Sequence, residues 1–157
     1  MPLLLPALTS SPGLPGAGAN TEIQFGNVVA QVWATAIQSY AAAIAPPSTT
    51  VAVAAVQLQS QLTPLFSTNH DQTTIQVFAQ SVDAAHLAFA TTVGLGMAAA
   101  GFASIPPPVP LNFASLYAVS ERPTGAVAAV DIATLIDLWM RTGIATNLIT
   151  GVPLPWT

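Results

Sequence analysis

DQTTIQVFAQSVDAAHLAFATTVGLGMAAAGF, residues 71–102, is the stretch whose reading decides the fold. Ile75, Phe78, Val82, Ala85, Phe89 and Val93 recur at steps of three or four, the period of one helix face. Gln72, Gln76, Gln80 and Asp83 form the opposite, polar side, and Asn69 or Asp71 is placed to cap the start. Past Asp83 the only titratable side chain is His86, and Leu87 to Ile105 is long and apolar enough to raise the question of a bilayer span. Against a span, no Arg, Lys, Trp or Tyr anchors either side, and the face pattern continues from a segment that carries Asp83 and several glutamines. A helix buried between others is the simpler reading. Gly94, Gly96 and Gly101 among Ala98, Ala99 and Ala100 predict a bend or break there and the close approach of another backbone, which makes the three glycines candidate packing positions.

The composition excludes more than any motif does. The chain has 157 residues, enough for one domain that buries a core without metal or disulfide. Hydrophobic residues are 52%, but charged residues are 5% where roughly 25% is usual. The charges are Glu22, Asp71, Asp83, Glu121, Asp131 and Asp137 against Arg122 and Arg141, with no lysine. Either the surface is buried against other subunits, where lysine and the acids are depleted, or it faces lipid, or it is an uncharged polar surface. Disorder is not implied, because disordered chains combine low hydrophobicity with high charge. Two arginines and a net charge of −4 argue against nucleic acid. The absence of cysteine removes disulfides, thiol catalysis and cysteine-type zinc sites.

Outward from the central stretch, the periodic pattern repeats. Thr21 to Ala45 opens with Thr21-Glu22-Ile23-Gln24, in the form of a capping box, and lines Phe25, Val29, Trp33, Ile37, Tyr40 and Ile44 on one face before Pro46-Pro47 stops it. Trp33 and Tyr40 sit in the middle of that apolar stripe, as core residues do. Ser48 to Phe66 fits a helix through Val51, Ala55, Leu58, Leu62 and Leu65, although Val51 to Val53 and Val56 to Gln59 also alternate as a strand would. Pro106, Pro107, Pro108 and Pro110 form a stiff connector, followed by a short helix within Leu111 to Val119 and a turn at Glu121-Arg122-Pro123. Thr124 to about Thr142 is the last helix, with Ala128, Ile132, Leu135, Leu138 and Trp139 inward and Asp137–Arg141 an exposed pair four apart. Residues 1–20 and 144–157 are rich in proline and glycine and read as extended arms around a helical core at 21–143. No basic segment precedes Leu3, Leu4 and Leu5, so they do not form a secretory signal; they and Trp156 are candidates for packing on this subunit or a neighbour.

Catalysis finds little material. His70-Asp71 and Asp83-x-x-His86 are the only neighbouring histidine and acid pairs, too few for a metal site, and the simpler roles are a helix cap and a helix-surface hydrogen bond. No nucleotide-binding, zinc-hydrolase or serine-hydrolase motif occurs. The expectation is a protein that is not an enzyme and uses no cofactor or metal.

WATAIQSYA at 33–41, PPPVPL at 106–111, AAVDIATLIDLW at 128–139 and the late Trp156 together resemble small all-helical structural proteins of tailed bacteriophages. The resemblance implies a virion component of head, neck or tail, assembled in the host cytoplasm and acting through copies of itself or other structural subunits. The expected architecture is a single all-α domain, a bundle of about four principal helices. Its candidate interface or packing residues are Leu3, Leu4, Leu5, Trp33, Tyr40, Gly94, Gly96, Gly101, Trp139 and Trp156. The alternatives are a membrane-associated helical protein inserting 87–105, and a small apolar-ligand binder with a pocket between helices.

Overall fold

Ala30, Trp33, Ala34, Ile37 and Ala41 return every three or four residues, and this is the stripe that helix α1 (Glu22–Ala41) buries. The computed structural model describes residues 22–67, 75–117 and 125–157. Helix α2 (Val51–Phe66) buries Val51, Ala54, Ala55, Leu58 and Leu62, so the helical period prevails over the short alternating pattern. Helix α3 (Ile75–Gly96) buries Phe78, Val82, Phe89 and Val93. Helix α4 (Gly125–Met140) buries Ala133, Ile136, Trp139 and Met140.

Close approaches at glycines set the helix directions. Gly26, near the start of α1, abuts Ser67 beyond the end of α2, while Gly96, at the end of α3, abuts Ser48 and Thr50 before α2. The first three helices therefore run antiparallel in chain order. Ser48 Oγ donates to Val93 O at 2.6 Å, Thr49 Oγ1 donates to Gly96 O at 3.3 Å, and Thr50 Oγ1 donates to Thr92 O. These hydroxyls tie the loop before α2 to carbonyls at the C-terminal end of α3.

The fold is not purely all-α. After Gly96 the chain tightens into a 3-10 turn, Met97–Ala100, and Gly101 at φ 84° leads into strand β1 (Phe102–Ile105). The stretch 144–157, expected as an extended tail, supplies β2 (Ile144–Asn147) and β3 (Pro153–Pro155). The antiparallel sheet has the order β1-β2-β3, with Ile105 opposite Ile144 and Ile144 opposite Pro155. The helix expected over 71–102 thus ends at Gly96, and Leu87–Ile105 contains a helix end, a turn and a strand rather than one continuous span. The break at 94–101 lies where the glycines predict it. Leu111–Val119 holds a 3-10 turn, Phe113–Tyr117. Leu3, Leu4, Leu5, the caps at Thr21, Asn69 and Asp71, and the turn at Glu121-Arg122-Pro123 lie outside the described residues.

Candidate interaction surface

The polar residues that sequence brings together are used for structure. His86 follows Val82 by four and precedes Phe89 by three, so the helix turns it inward, where it is 1% exposed. Its place is the core, not the helix surface. Trp33 Nε1 donates to His86 Nε2 at 3.0 Å, and His86 Nδ1 lies 2.7 Å from Val82 O. The second contact requires a proton on Nδ1 and the first a lone pair on Nε2, which fixes the neutral tautomer. Burial lowers its pKa to about 4, against a smaller opposing effect of the Val82 carbonyl. Both ring nitrogens are engaged, and neither is free for proton transfer. Asp83, on the adjacent side of α3, accepts the backbone N–H of Phe113 at 2.9 Å and so ties the 3-10 turn to the helix.

A second polar group joins α1 to α4. Tyr40 Oη donates to Asp137 Oδ1 at 2.8 Å, and Arg141 Nε and Nη2 donate to the same carboxylate at 2.9 and 3.1 Å. Burial raises the pKa of Tyr40, and so do its hydrogen bond to Asp137 and that residue's charge. For Asp137, burial pulls the carboxyl upward, but the hydrogen bonds from Arg141 and Tyr40 and the Arg141 charge outweigh it and hold the carboxyl below the usual value. The Asp137–Arg141 pair is therefore not the simple exposed pair of the sequence reading, because Tyr40 extends it into the core. Among the described residues no group of three or more His, Cys, Asp and Glu side chains is placed to hold a metal ion.

Exposed apolar side chains lie on the helices, at Val56, Leu95 and Leu138, and on the sheet. Trp156, 1% exposed, fixes it to the helices. A Cβ on Gly143 would lie 2.6 Å from the Trp156 ring, and one on Gly94 would lie 2.8 Å from Ser104 Oγ and 3.4 Å from the ring. Gly94 and Gly143 thus make the slot that admits the indole. Thr157 and Ala45 exchange two backbone hydrogen bonds, Ala45 N to Thr157 O at 2.7 Å and Thr157 N to Ala45 O at 3.2 Å. Segment 144–157 is pinned to its own subunit at both Trp156 and Thr157.

Strand pairing then dictates which side chains face outward. Ser104 and Ala145 pair and point to the helices; Ala145 is fully buried, and Ser104 Oγ and Trp156 Nε1 are buried with no hydrogen-bond partner among the described residues. The alternate registers, Ala103–Thr146–Pro153 and Ile105–Ile144–Pro155, share the other face. Ile105 is 57% and Ile144 40% exposed. A solvent-facing side of an antiparallel sheet is ordinarily polar. Here Thr146 supplies its only side-chain polar group. At the β2–β3 tip, Asn147 Oδ1 accepts the N–H groups of Ile149 and Thr150 at 2.9 and 3.0 Å, and Gly151, at φ 68°, donates to Asn147 O at 2.8 Å. This bonded turn holds Leu148 and Ile149 outward, with Ile149 92% exposed. No acidic or basic residue occurs in 142–157, nor in 84–120 apart from His86.

The structure separates the candidates by position. Trp33, Tyr40, Trp139, Trp156, Gly94 and Gly96 are buried within the subunit, Trp139 donating to Val109 O at 2.6 Å. Gly101 has open space around its Cβ direction; its glycine answers to the positive φ, not to a close approach. No sequence pattern marks Ile105, Ile144 and Ile149 as exposed; the one signal around them is the absence of charge. The chain matches no protein-family model, no curated protein and no solved structure.

Proposed function

We propose that this protein is a structural packing subunit that works by docking its uncharged surface against other protein, without catalysis. The observation that carries this reading is the apolar outer face of the sheet, fixed by Trp156 in a region free of acids and bases. Contiguous exposed apolar surface of this kind marks interaction sites, and interface cores are depleted in lysine and acids. The resemblance to virion proteins of tailed phages supplies the kind of particle, a head, neck or tail assembly. Negative-stain microscopy of the purified protein tests it: rings, tubes or discrete multimers are expected, and a field of isolated monomers at high concentration contradicts it.

A membrane reading is favoured by a different observation. Gln76–Ala100 has a mean hydropathy of 1.3 over an 18-residue window, long and apolar enough to cross a bilayer. Half of that window is buried inside the fold, where Phe78, Val82, Phe89 and Val93 face the other helices. Insertion therefore requires α3 to leave the bundle. Flotation with liposomes separates the two readings: recovery with the vesicles supports insertion, and recovery in the aqueous fraction without detergent removes it.

A further inference from the structure

We infer that Trp33 is an acid-operated gate: a proton on His86 swings the indole away and lets water into the seam between α1 and α3, while the rest of the fold keeps its packing. The inference is independent of the assembly reading. α1 packs on α2 and α2 on α3, whereas α1 and α3 meet chiefly through side chains. At that seam Trp33 Nε1 donates to His86 Nε2 at 3.0 Å. The centre of the Trp33 ring system lies 5.5 Å from that of Phe66, 6.0 Å from Phe113 and 5.9 Å from the imidazole. Phe78 closes the group, 6.0 Å from Phe66 and 6.1 Å from Phe113. The indole is the partner of His86 that reaches solvent, 8% exposed where the imidazole residue is 1%. Displacing that one side chain opens a route for water to the imidazole.

Protonation supplies the force. The Val82 carbonyl keeps a proton on Nδ1, so the second proton goes to Nε2 and meets the indole N–H donor to donor. No acid offsets the buried cation, because burial and the Val82 carbonyl are what act on His86. On α3 itself, Asp83 is turned to the N–H of Phe113. On α1, Glu22 and Tyr40 stand about three and two turns from Trp33, and Tyr40 is bonded to Asp137. α2 has no titratable side chain, the turn Phe113–Tyr117 has Tyr117, and α4 has Asp131 and Asp137, the latter bound by Arg141. The other joints do not titrate between pH 7 and pH 5. Ser48, Thr49 and Thr50 hold α3 through hydroxyls, Ala45 and Thr157 pair through the backbone, and Trp156 sits between Gly94 and Gly143. Carboxyl groups at their ordinary values are ionised over most of that range. Acid therefore acts on the seam first. With about 4 for the closed imidazole and 6.5 for the solvated one, the opening constant rises about twentyfold from pH 7 to pH 5.

Hydrogen exchange at the indole N–H groups of Trp33, Trp139 and Trp156, the three tryptophans of the chain, provides the test. It is followed by NMR on the full chain at pH 7 and pH 5, in urea from zero to just below the unfolding transition. The expected result is that Trp33 exchanges faster than the other two and that its protection falls about twentyfold from pH 7 to pH 5. Its rate in dilute urea should not depend on urea, because opening the gate exposes little surface, whereas Trp139 and Trp156 should exchange faster as urea rises. In His86→Gln, whose amide oxygen can accept from Trp33, the pH response of Trp33 should vanish. Asp83→Asn, which keeps an acceptor for the Phe113 N–H, should retain it. One rate and one urea slope shared by all three indoles would mean that water enters only on global unfolding, and would overturn the gate. A wild-type Trp33 rate that ignores pH overturns it equally, and these two outcomes are read without any variant. A pH response that survives in His86→Gln, or is lost in Asp83→Asn, overturns the assignment of the trigger to His86.

Discussion

His86 shows how much one buried polar residue constrains this core. Its two nitrogens are matched to Trp33 and to the Val82 carbonyl in the neutral form only, and a proton on Nε2 would face the indole N–H donor to donor. The folded-state pKa, about 4, lies below the unbound value of 6.5, so the unfolded chain binds the proton first. Stability is complete above about pH 6.5, falls as pH drops from there towards 4, and changes no further through this group below that. The shift from 6.5 to about 4 corresponds to about 3 kcal/mol. Urea unfolding of the wild type between pH 7 and pH 4 is expected to show a loss of that order, and His86→Gln, whose amide oxygen can still accept from Trp33, should flatten most of it. An equal loss in His86→Gln would show that other groups carry the pH dependence. The inward place of His86 was legible in the sequence, because it shares the three-and-four spacing of Val82 and Phe89; its polarity alone suggested the surface.

At the scale of the element, glycines at the joints divide into two physical kinds. Gly94, Gly96 and Gly143 stand where another group touches the backbone, whereas Gly101 stands where the backbone turns left-handed in open space. Gly96→Ala places a methyl 2.7 Å from Thr50 N and should cost about 1–3 kcal/mol, with Gly96→Leu worse. Gly101→Ala and Gly101→Leu should cost alike, about 1–2 kcal/mol, because only the positive φ is at stake. Thermal unfolding of the four variants checks the pattern; a Gly101→Leu markedly less stable than Gly101→Ala would mean that the site is crowded. The helices were readable because their apolar spacing persists over 16 to 22 residues. The sheet was not readable. Its strands have four residues or fewer, β3 contains two prolines, and β1 follows directly from an apolar helical run. Phe102 pairs with Asn147, and no local pattern announces a partner that distant in sequence.

For the whole molecule, the scarcity of charge takes on a location. The bundle core holds Trp33, Phe78 and Phe113 within ring distances of 6.0 and 6.1 Å, and Asp83, Asp137 and Arg141 are spent on joints between elements. The remaining sheet end offers isoleucine, leucine and proline to its surroundings. Composition alone left burial against other subunits, lipid and an uncharged polar surface as explanations; the register of three short strands adds that Ile105 and Ile144 share one exposed face. The most direct measurement is the molar mass in solution, by size-exclusion chromatography with light scattering across an about hundred-fold dilution. A packing subunit should give a mass above the 16.0 kDa of the single chain at high concentration and fall towards it on dilution. A well-folded protein that stays at 16.0 kDa throughout would contradict self-assembly.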